Sequence, residues 1–307
     1  MTSPARLMDA LAVKFGDRVR ADIPLAPYTS ARIGGPADIL ITANSADELS
    51  EIMLTVWKAK ADYFILGGGS NVLISDKGVR GITILNRAKA VRFENKSQPK
   101  VWAESGVVFS NLSNRCASKG LSGLEWAASV PGTIGGAVYG NAGAFGGDMA
   151  GTLVWAELAT DAGREMWSVE KMDYGYRTSI LKRGGIRAVV LSAELTLKNA
   201  TKEEVPVKIE RFSERRKTTQ PPGASMGSMF KNPPGDFAGR LIEAAGLKGT
   251  RIGNAEISPL HGNFFINHGK TDAEDIRALI ELARKTVTDK FGIELELEIE
   301  LVGEWQV

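Results

Sequence analysis

The sequence predicts an α+β protein, on three observations. Between about residues 72 and 197 short β-rich runs dominate ("GITILN", "KVWAESGV", "LVWAELAT", "REMWSV", "IRAVVLSAELTL"), and one convincing helix interrupts them. Ahead of them stand a strand, a helix, a strand and a glycine-rich loop. Behind them comes a helix-rich segment that closes on an alternating strand. Strands grouped together with helices set apart favour a largely antiparallel sheet.

The whole chain bounds the reading. Its 307 residues are enough for two or three lobes. Lys and Arg number 38 against 36 Asp and Glu, a formal net charge of +2, so no strong field points to nucleic acid or a membrane surface. Cys116 is the one cysteine, which excludes an internal disulfide and suggests a reducing compartment. The N-terminal stretch lacks the apolar core of a signal peptide, and no apolar run approaches the ~20 residues of a spanning helix. A cytoplasmic, monomeric protein is expected, acting on a small molecule, with no nucleic-acid partner and no membrane insertion.

Taken in order, a short amphipathic helix runs from about Ala5 to Phe15. A Gly-Gly-Pro turn and a strand over Asp38–Thr42 follow. Ser45 and Glu48 have capping-box spacing, and Leu49, Ile52, Met53, Val56 and Trp57 then recur at helical spacing. A strand over 63–66 runs into Gly67, Gly68 and Gly69. The middle helix spans about Ser110–Lys119, with Gly120 as its stop. A basic helix starts near Pro206, which only a first turn tolerates, and ends before Pro221. The third segment carries a helix over Ala238–Ala245, a strand in "GNFFIN", a long helix capped by Thr271 and Glu274, and a last strand, "IELELEIELV".

Two stretches are dense in glycine. In "YFILGGGSNVLISDKGVRG", Gly67–Gly69 precede Ser70 and Asn71. Glycine lets a backbone approach an anion with no Cβ in the way, and successive N–H groups make an anion nest. No Lys-Ser/Thr pair follows, and the loop leads into a strand, so neither the Walker pattern nor the dinucleotide fingerprint applies. A phosphate loop and a structural turn stand level here. The second stretch, Leu121–Thr152, reads as a long irregular loop whose small residues suit close approach to something flat and large. Together the two suggest a large phosphate-bearing cofactor.

At this point a resemblance becomes specific. "ILGGGSNVLISD", "VPGTIGGAVYGNAGAFGG", "YGYRTSIL", "GSMFKNP", "AGLKGTRIGNAEISPLHGNFFIN" and "LELEIELVG" occur in the order and spacing of the UDP-N-acetylenolpyruvoylglucosamine reductase family. The likeness runs from about Tyr28 to Gly303. It is similar to the form without an extra inserted substrate loop. The resemblance implies a two-lobed FAD-binding domain of the p-cresol methylhydroxylase type at 28–200 (lobes about 28–71 and 72–200). Residues 1–27 precede it, and an α+β substrate domain at 201–307 follows. It implies non-covalent FAD, since the only histidines, His261 and His268, lie far downstream. The cofactor residues it implies are Gly67, Gly68, Gly69, Ser70, Asn71, Pro131, Gly132, Gly135, Gly136, Asn141 and Gly143.

The family reaction, implied in the same way, is reduction of the enolpyruvyl group of UDP-N-acetylglucosamine enolpyruvate with NADPH as donor. It gives UDP-N-acetylmuramate for peptidoglycan. The chemistry needs a cation or acid at the substrate carboxylate and a proton donor at the adjacent carbon. The family motifs place these roles on Arg177, on Ser228 and on Glu298. Local chemistry alone reads Arg177 as a surface arginine and Ser228 as a turn serine beside Gly227. The alternation of Glu294, Glu296, Glu298 and Glu300 puts four carboxylates on one face without choosing among them. The family carries proline at Leu297 and arginine at Glu300 in many members. Substrate contacts are implied for Lys231, Asn232 and Asn263. Lys217, with Arg215, Arg216 and Gln220, reads equally as a pyrophosphate contact or a solvated helix end. His261 reads as a general base or, better, as a structural or substrate-contacting residue. Cys116 reads as packing. Two other readings stay open: a different flavin oxidoreductase of the same fold, and a silent flavin-binding module.

Overall fold

The computed structural model describes residues 4–94 and 96–305. The chain forms two compact units. One comprises the chain up to Arg20 with Leu40–Gly68 and Ile82–Arg215; the other comprises Ala21–Ile39, Gly69–Gly81 and the chain from Arg216 onward. The α+β class is as expected.

In the first unit the amphipathic helices form where the apolar spacing predicts them, at Pro4–Phe15 and Ala46–Ala59. Ser45 Oγ accepts the Glu48 N–H at 3.1 Å. The reciprocal half of the expected capping box is displaced by one residue, because Glu48 accepts from Asn44 N–H at 2.8 Å and from Arg18. Strand Tyr63–Leu66 pairs in parallel with Val79–Asn86, Tyr63 opposite Ile82 and Leu66 opposite Leu85. The β-rich middle builds a five-stranded antiparallel sheet in the order 163–168, 153–160, 188–196, 100–104, 91–94. Alternating small and branched residues, such as Ala103, Ala156, Leu158 and Ala193, face a core completed by Phe109, Leu112, Cys116 and Trp126. Burial pushes the Cys116 thiol up to about 12, so it packs as an inert apolar residue.

The stretch 121–152, read above as an irregular loop, contains a helix at Ile134–Gly140. Its glycines disguise it, since glycine opposes helix by about 1 kcal/mol per residue. Burial of Ile134, Ala137 and Val138 offsets that cost. The basic helix spans Glu204–Thr219 with Pro206 in its first turn, as its chemistry requires.

In the second unit four antiparallel strands lie in the order 224–228, 264–267, 255–257, 251–252. The helices Ala238–Ala244 and Ala273–Phe291 close the core, the latter through Ile276, Leu279, Ile280, Ala283 and Val287. Its N-terminus is not capped by Thr271. Asp76 supplies the cap, taking the Ala273 N–H at 2.8 Å on Oδ2, while the Thr271 hydroxyl is buried with no partner among the described residues. The expected last strand is also shorter, only Glu300–Val302, parallel to Val72–Ile74. Upstream, the segment bonds the 229–231 stretch instead (Lys231 N–H to the Glu296 carbonyl, Glu298 N–H to the Met229 carbonyl) before Glu300 N–H turns to Asn71. That change of partner breaks the ladder, leaving one bridge at Leu297. Among the described residues no helix is long and apolar enough to cross a membrane.

Candidate active site

In the first unit the two glycine stretches meet backbone to backbone. A Cβ on Gly68 would lie 3.0 Å from Gly132 Cα, and one on Gly67 would lie 2.6 Å from Thr133 Oγ1. Arg87 Nη1 donates to the Gly67 carbonyl at 3.0 Å. Because a trans peptide points its C=O and the next N–H in opposite directions, this bond turns Gly68 N–H away from Arg87. Arg87 has no local sequence signature and was not foreseen. Gly135 N–H is spent on the Ser105 carbonyl at 2.8 Å, which anchors the helix start. Pro131, just ahead, is exposed.

Gly136 differs from its neighbours. It sits in the 134–140 helix, is exposed, and a Cβ there would meet nothing nearer than Thr133 Oγ1 at 3.9 Å. Gly140, one turn on, has nothing within 4 Å. No protein atom requires either glycine, although each weakens the helix. The open space beside these two glycines fits a large flat ligand, and the exposed, N–H-bearing Gly68 of the neighbouring loop fits one with phosphates. The residues present therefore fit FAD.

The same helix supports the turn of Arg177. Gly175 and Thr178 bridge each other across Tyr176 and Arg177. Asn141 Nδ2 donates to the Gly175 carbonyl at 2.9 Å, Tyr174 Oη to the Val138 carbonyl at 2.9 Å, and Ser179 Oγ to the Tyr139 carbonyl at 2.6 Å. The carboxamide of Asn141 thus positions this turn, and its Oδ1 accepts from Ala150 N–H. Arg177 itself has φ +56°, a backbone region costly for a residue with a Cβ. Its guanidinium carbon lies 5.3 Å from the Tyr176 ring centre. A Cβ on Gly143 would come within 3.2 Å of Arg177 Nη1 and 2.8 Å of Asp148 Cβ, so Gly143 makes room for this cation.

In the second unit Gly69, at φ +60°, presses its backbone on Tyr28, whose carbonyl a Cβ would meet at 2.3 Å. Ser70 is half-buried and Asn71 exposed. The Asn71 carboxamide donates to the Glu298 carbonyl at 3.1 Å, so this loop residue fixes the backbone that bears Glu298. Glu294 and Glu296 are exposed, while Glu298 and Glu300 are partly buried; the structure separates four glutamates that periodicity left equivalent.

Ser228 ends the 224–228 strand after Gly227 at φ +76°, where the register with 264–267 shifts. It lines a cavity of ≈ 390 Å³ together with Asn232, His261, Asn263, Phe237 and Arg240. That volume lies in the usual range for small-molecule sites. Asn263 is buried with both carboxamide atoms on the Phe230 backbone. Asn232 Oδ1 accepts from Ala238 N–H at 3.1 Å, tying the "FKNP" turn to the next helix. The Lys231 ammonium pairs with Glu296. Lys217 stands exposed in the last turn of the basic helix. Burial holds the His261 imidazole below its ordinary value, hence neutral near pH 7.

Comparison with known proteins identifies the family. Residues 37–168 match the FAD binding domain family, and residues 218–302 match the C-terminal domain of UDP-N-acetylenolpyruvoylglucosamine reductase. UDP-N-acetylenolpyruvoylglucosamine reductase of Chloroflexus aggregans is 42% identical over 92% of this chain and 97% of its own length. That of Bacillus subtilis is 41% identical over 93% of this chain and 94% of its own. The crystal structure of UDP-N-acetylenolpyruvylglucosamine reductase from Thermus caldophilus superimposes with a TM-score of 0.79 at 36% identity, covering 92% of this chain and 99% of that one. The FAD-binding fold expected for the glycine stretches is therefore present, and the chain belongs to the UDP-N-acetylenolpyruvoylglucosamine reductase family of FAD-dependent oxidoreductases.

Proposed function

We propose that the protein reduces UDP-N-acetylglucosamine enolpyruvate to UDP-N-acetylmuramate with NADPH, a step of peptidoglycan precursor synthesis. FAD, held by the glycine loops, would supply the two-electron chemistry that links NADPH to the enolpyruvyl methylene carbon. That carbon becomes a methyl group, and the electron pair of the double bond moves onto the adjacent carbon and its carboxylate. Ser228 Oγ–H then delivers a proton to the adjacent carbon and recovers one from solvent. Arg177, a permanent cation with a planar fork, offsets the enolate charge. Glu298 assists at the same enolate.

The observation that carries this reading is the position of Ser228, at the edge of a cavity of ligand size, in a chain of this family. Asn232, Asn263 and Lys231 serve substrate binding: Asn263 through the Phe230 backbone, and Asn232 and Lys231 at the turn after Ser228. Lys217 meets the diphosphate. Gly67, Gly68, Gly69, Ser70, Asn71, Pro131, Gly132, Gly135, Gly136, Asn141 and Gly143 hold FAD or shape the loops that do. Residues 28–200 form the flavin domain and 201–307 the substrate domain. The protein works as a cytoplasmic monomer, where NADPH and the soluble sugar nucleotide are found.

The test is a single anaerobic titration of the purified yellow protein. NADPH should bleach the flavin absorbance, and UDP-N-acetylglucosamine enolpyruvate should restore it. Bleaching without recovery would remove this substrate and leave another flavin oxidoreductase of the fold.

A further inference from the structure

His261 stands on the turn after Ser258, whose Oγ accepts the N–H groups of Leu260 (3.1 Å) and His261 (3.3 Å). Its ring is fixed on three sides. Asn263 N–H donates to His261 Nδ1 at 3.2 Å. The ring meets Phe264 edge-on, with centroids 4.9 Å apart. On the third side it presses against the 238–244 helix, where a Cβ on Gly239 would lie 2.9 Å from Cε1.

The first of these contacts decides the tautomer. A backbone N–H can only donate, so Nδ1 must accept, and a neutral ring then carries its hydrogen on Nε2. Burial favours that neutral form. The ring lines the cavity of Ser228 and Asn232. Its one remaining polar group is a donor of fixed direction on a side chain that is held, not mobile.

We propose that His261 binds the sugar-nucleotide substrate through Nε2–H, donating to one of its oxygen acceptors in the Ser228 cavity. The inference rests on the function proposed above. It makes His261 a binding residue rather than the general base that a histidine first suggests: with Nδ1 occupied and Nε2 protonated, the ring has no free lone pair to take a proton. It also gives Gly239 a purpose, since any side chain there would push the ring out of place.

The test is calorimetric titration of oxidised holoenzyme with UDP-N-acetylglucosamine enolpyruvate, alongside melting temperatures. His261→Phe keeps a flat ring and loses the donor; substrate binding should weaken about three- to tenfold, the range of one neutral hydrogen bond. His261→Gln places an amide N–H near the Nε2 position and should bind within about twofold of wild type. Gly239→Ala puts a methyl group against the held ring, so it should lower the melting temperature and weaken binding like His261→Phe. If His261→Phe melts early, titration well below its transition, against His261→Gln at the same temperature, decides. Wild-type affinity in His261→Phe or Gly239→Ala, or equal losses in the Gln and Phe variants, would overturn the assignment and leave the ring a packing element. Wild-type flavin reoxidation by the substrate separates that failure from failure of the proposed reaction.

Discussion

The carboxamide of Asn263 clamps the main chain of Phe230. Oδ1 accepts the Phe230 N–H at 2.9 Å and Nδ2 donates to the Phe230 carbonyl at 2.8 Å. One residue, Met229, separates that clamp from Ser228, and its N–H bonds the Asn263 carbonyl. Asn263→Ala strands two buried peptide groups. Each stranded group costs about 1–3 kcal/mol, so unfolding in urea should lose about 2–6 kcal/mol. A loss below about 0.5 kcal/mol would mean that water replaces the clamp.

Arg87 and Gly67 form the corresponding contact in the cofactor loop. Arg87→Ala frees the Gly67 peptide to rotate, and FAD affinity should fall about tenfold, consistent with a charge-assisted bond. Arg87→Lys should recover part of it. Equilibrium dialysis of the apoprotein with FAD reads both, and an unchanged dissociation constant in Arg87→Ala would show that the loop holds its own shape.

Gly136→Ala should move two properties in opposite directions. No protein atom opposes the added methyl group, so the apoprotein should gain up to about 1 kcal/mol of helix propensity. FAD binding should weaken at least about tenfold, because the methyl group would occupy the open face. A variant that is both more stable and equally flavin-loaded would remove this face from the cofactor site.

The pair Arg18–Glu48 sets a pH dependence. The hydrogen bond from Arg18, with Nη1 at 2.6 Å from Oε2, chiefly holds the Glu48 carboxyl below its ordinary value. A folded value below the unfolded one, about 4.3, means that this stabilisation is present above about pH 4.3 and is lost as pH falls through the folded value. Glu48→Gln should therefore lower stability by about 0.5–1 kcal/mol at pH 7, with the gap to wild type closing below about pH 4. Melting curves against pH check this, and a gap independent of pH would show that the charge of Glu48 contributes nothing to stability.

Much of the fold was legible because burial imposes period. The faces of the 46–59 and 273–291 helices and the antiparallel middle sheet could be read from apolar spacing. The misses share a cause: partners distant in sequence. The 134–140 helix is held by packing that overrides its glycines. Asp76 caps a helix that begins at Ala273, and local spacing named Thr271 instead. Even alternation in 293–302 suggested one long strand, but its backbone partners change from the 229–231 segment to Asn71.

The site was legible in a different way. Ser228 and Glu298 rest on resemblance to a family, since nothing local distinguishes them. Asn71, Asn141 and Asn263, which the resemblance gives as ligand contacts, each also place the carboxamide on a backbone group of their own unit. An asparagine that contacts a ligand and one that holds a loop look the same in sequence.

Ser228→Ala tests the central claim most directly, measured by stopped flow in two half-reactions. The account predicts that NADPH reduces the flavin of the variant at the wild-type rate. It predicts that reoxidation by UDP-N-acetylglucosamine enolpyruvate slows by at least about a hundredfold, the size expected for loss of a general acid. Equal slowing of both half-reactions, or wild-type reoxidation, would contradict it.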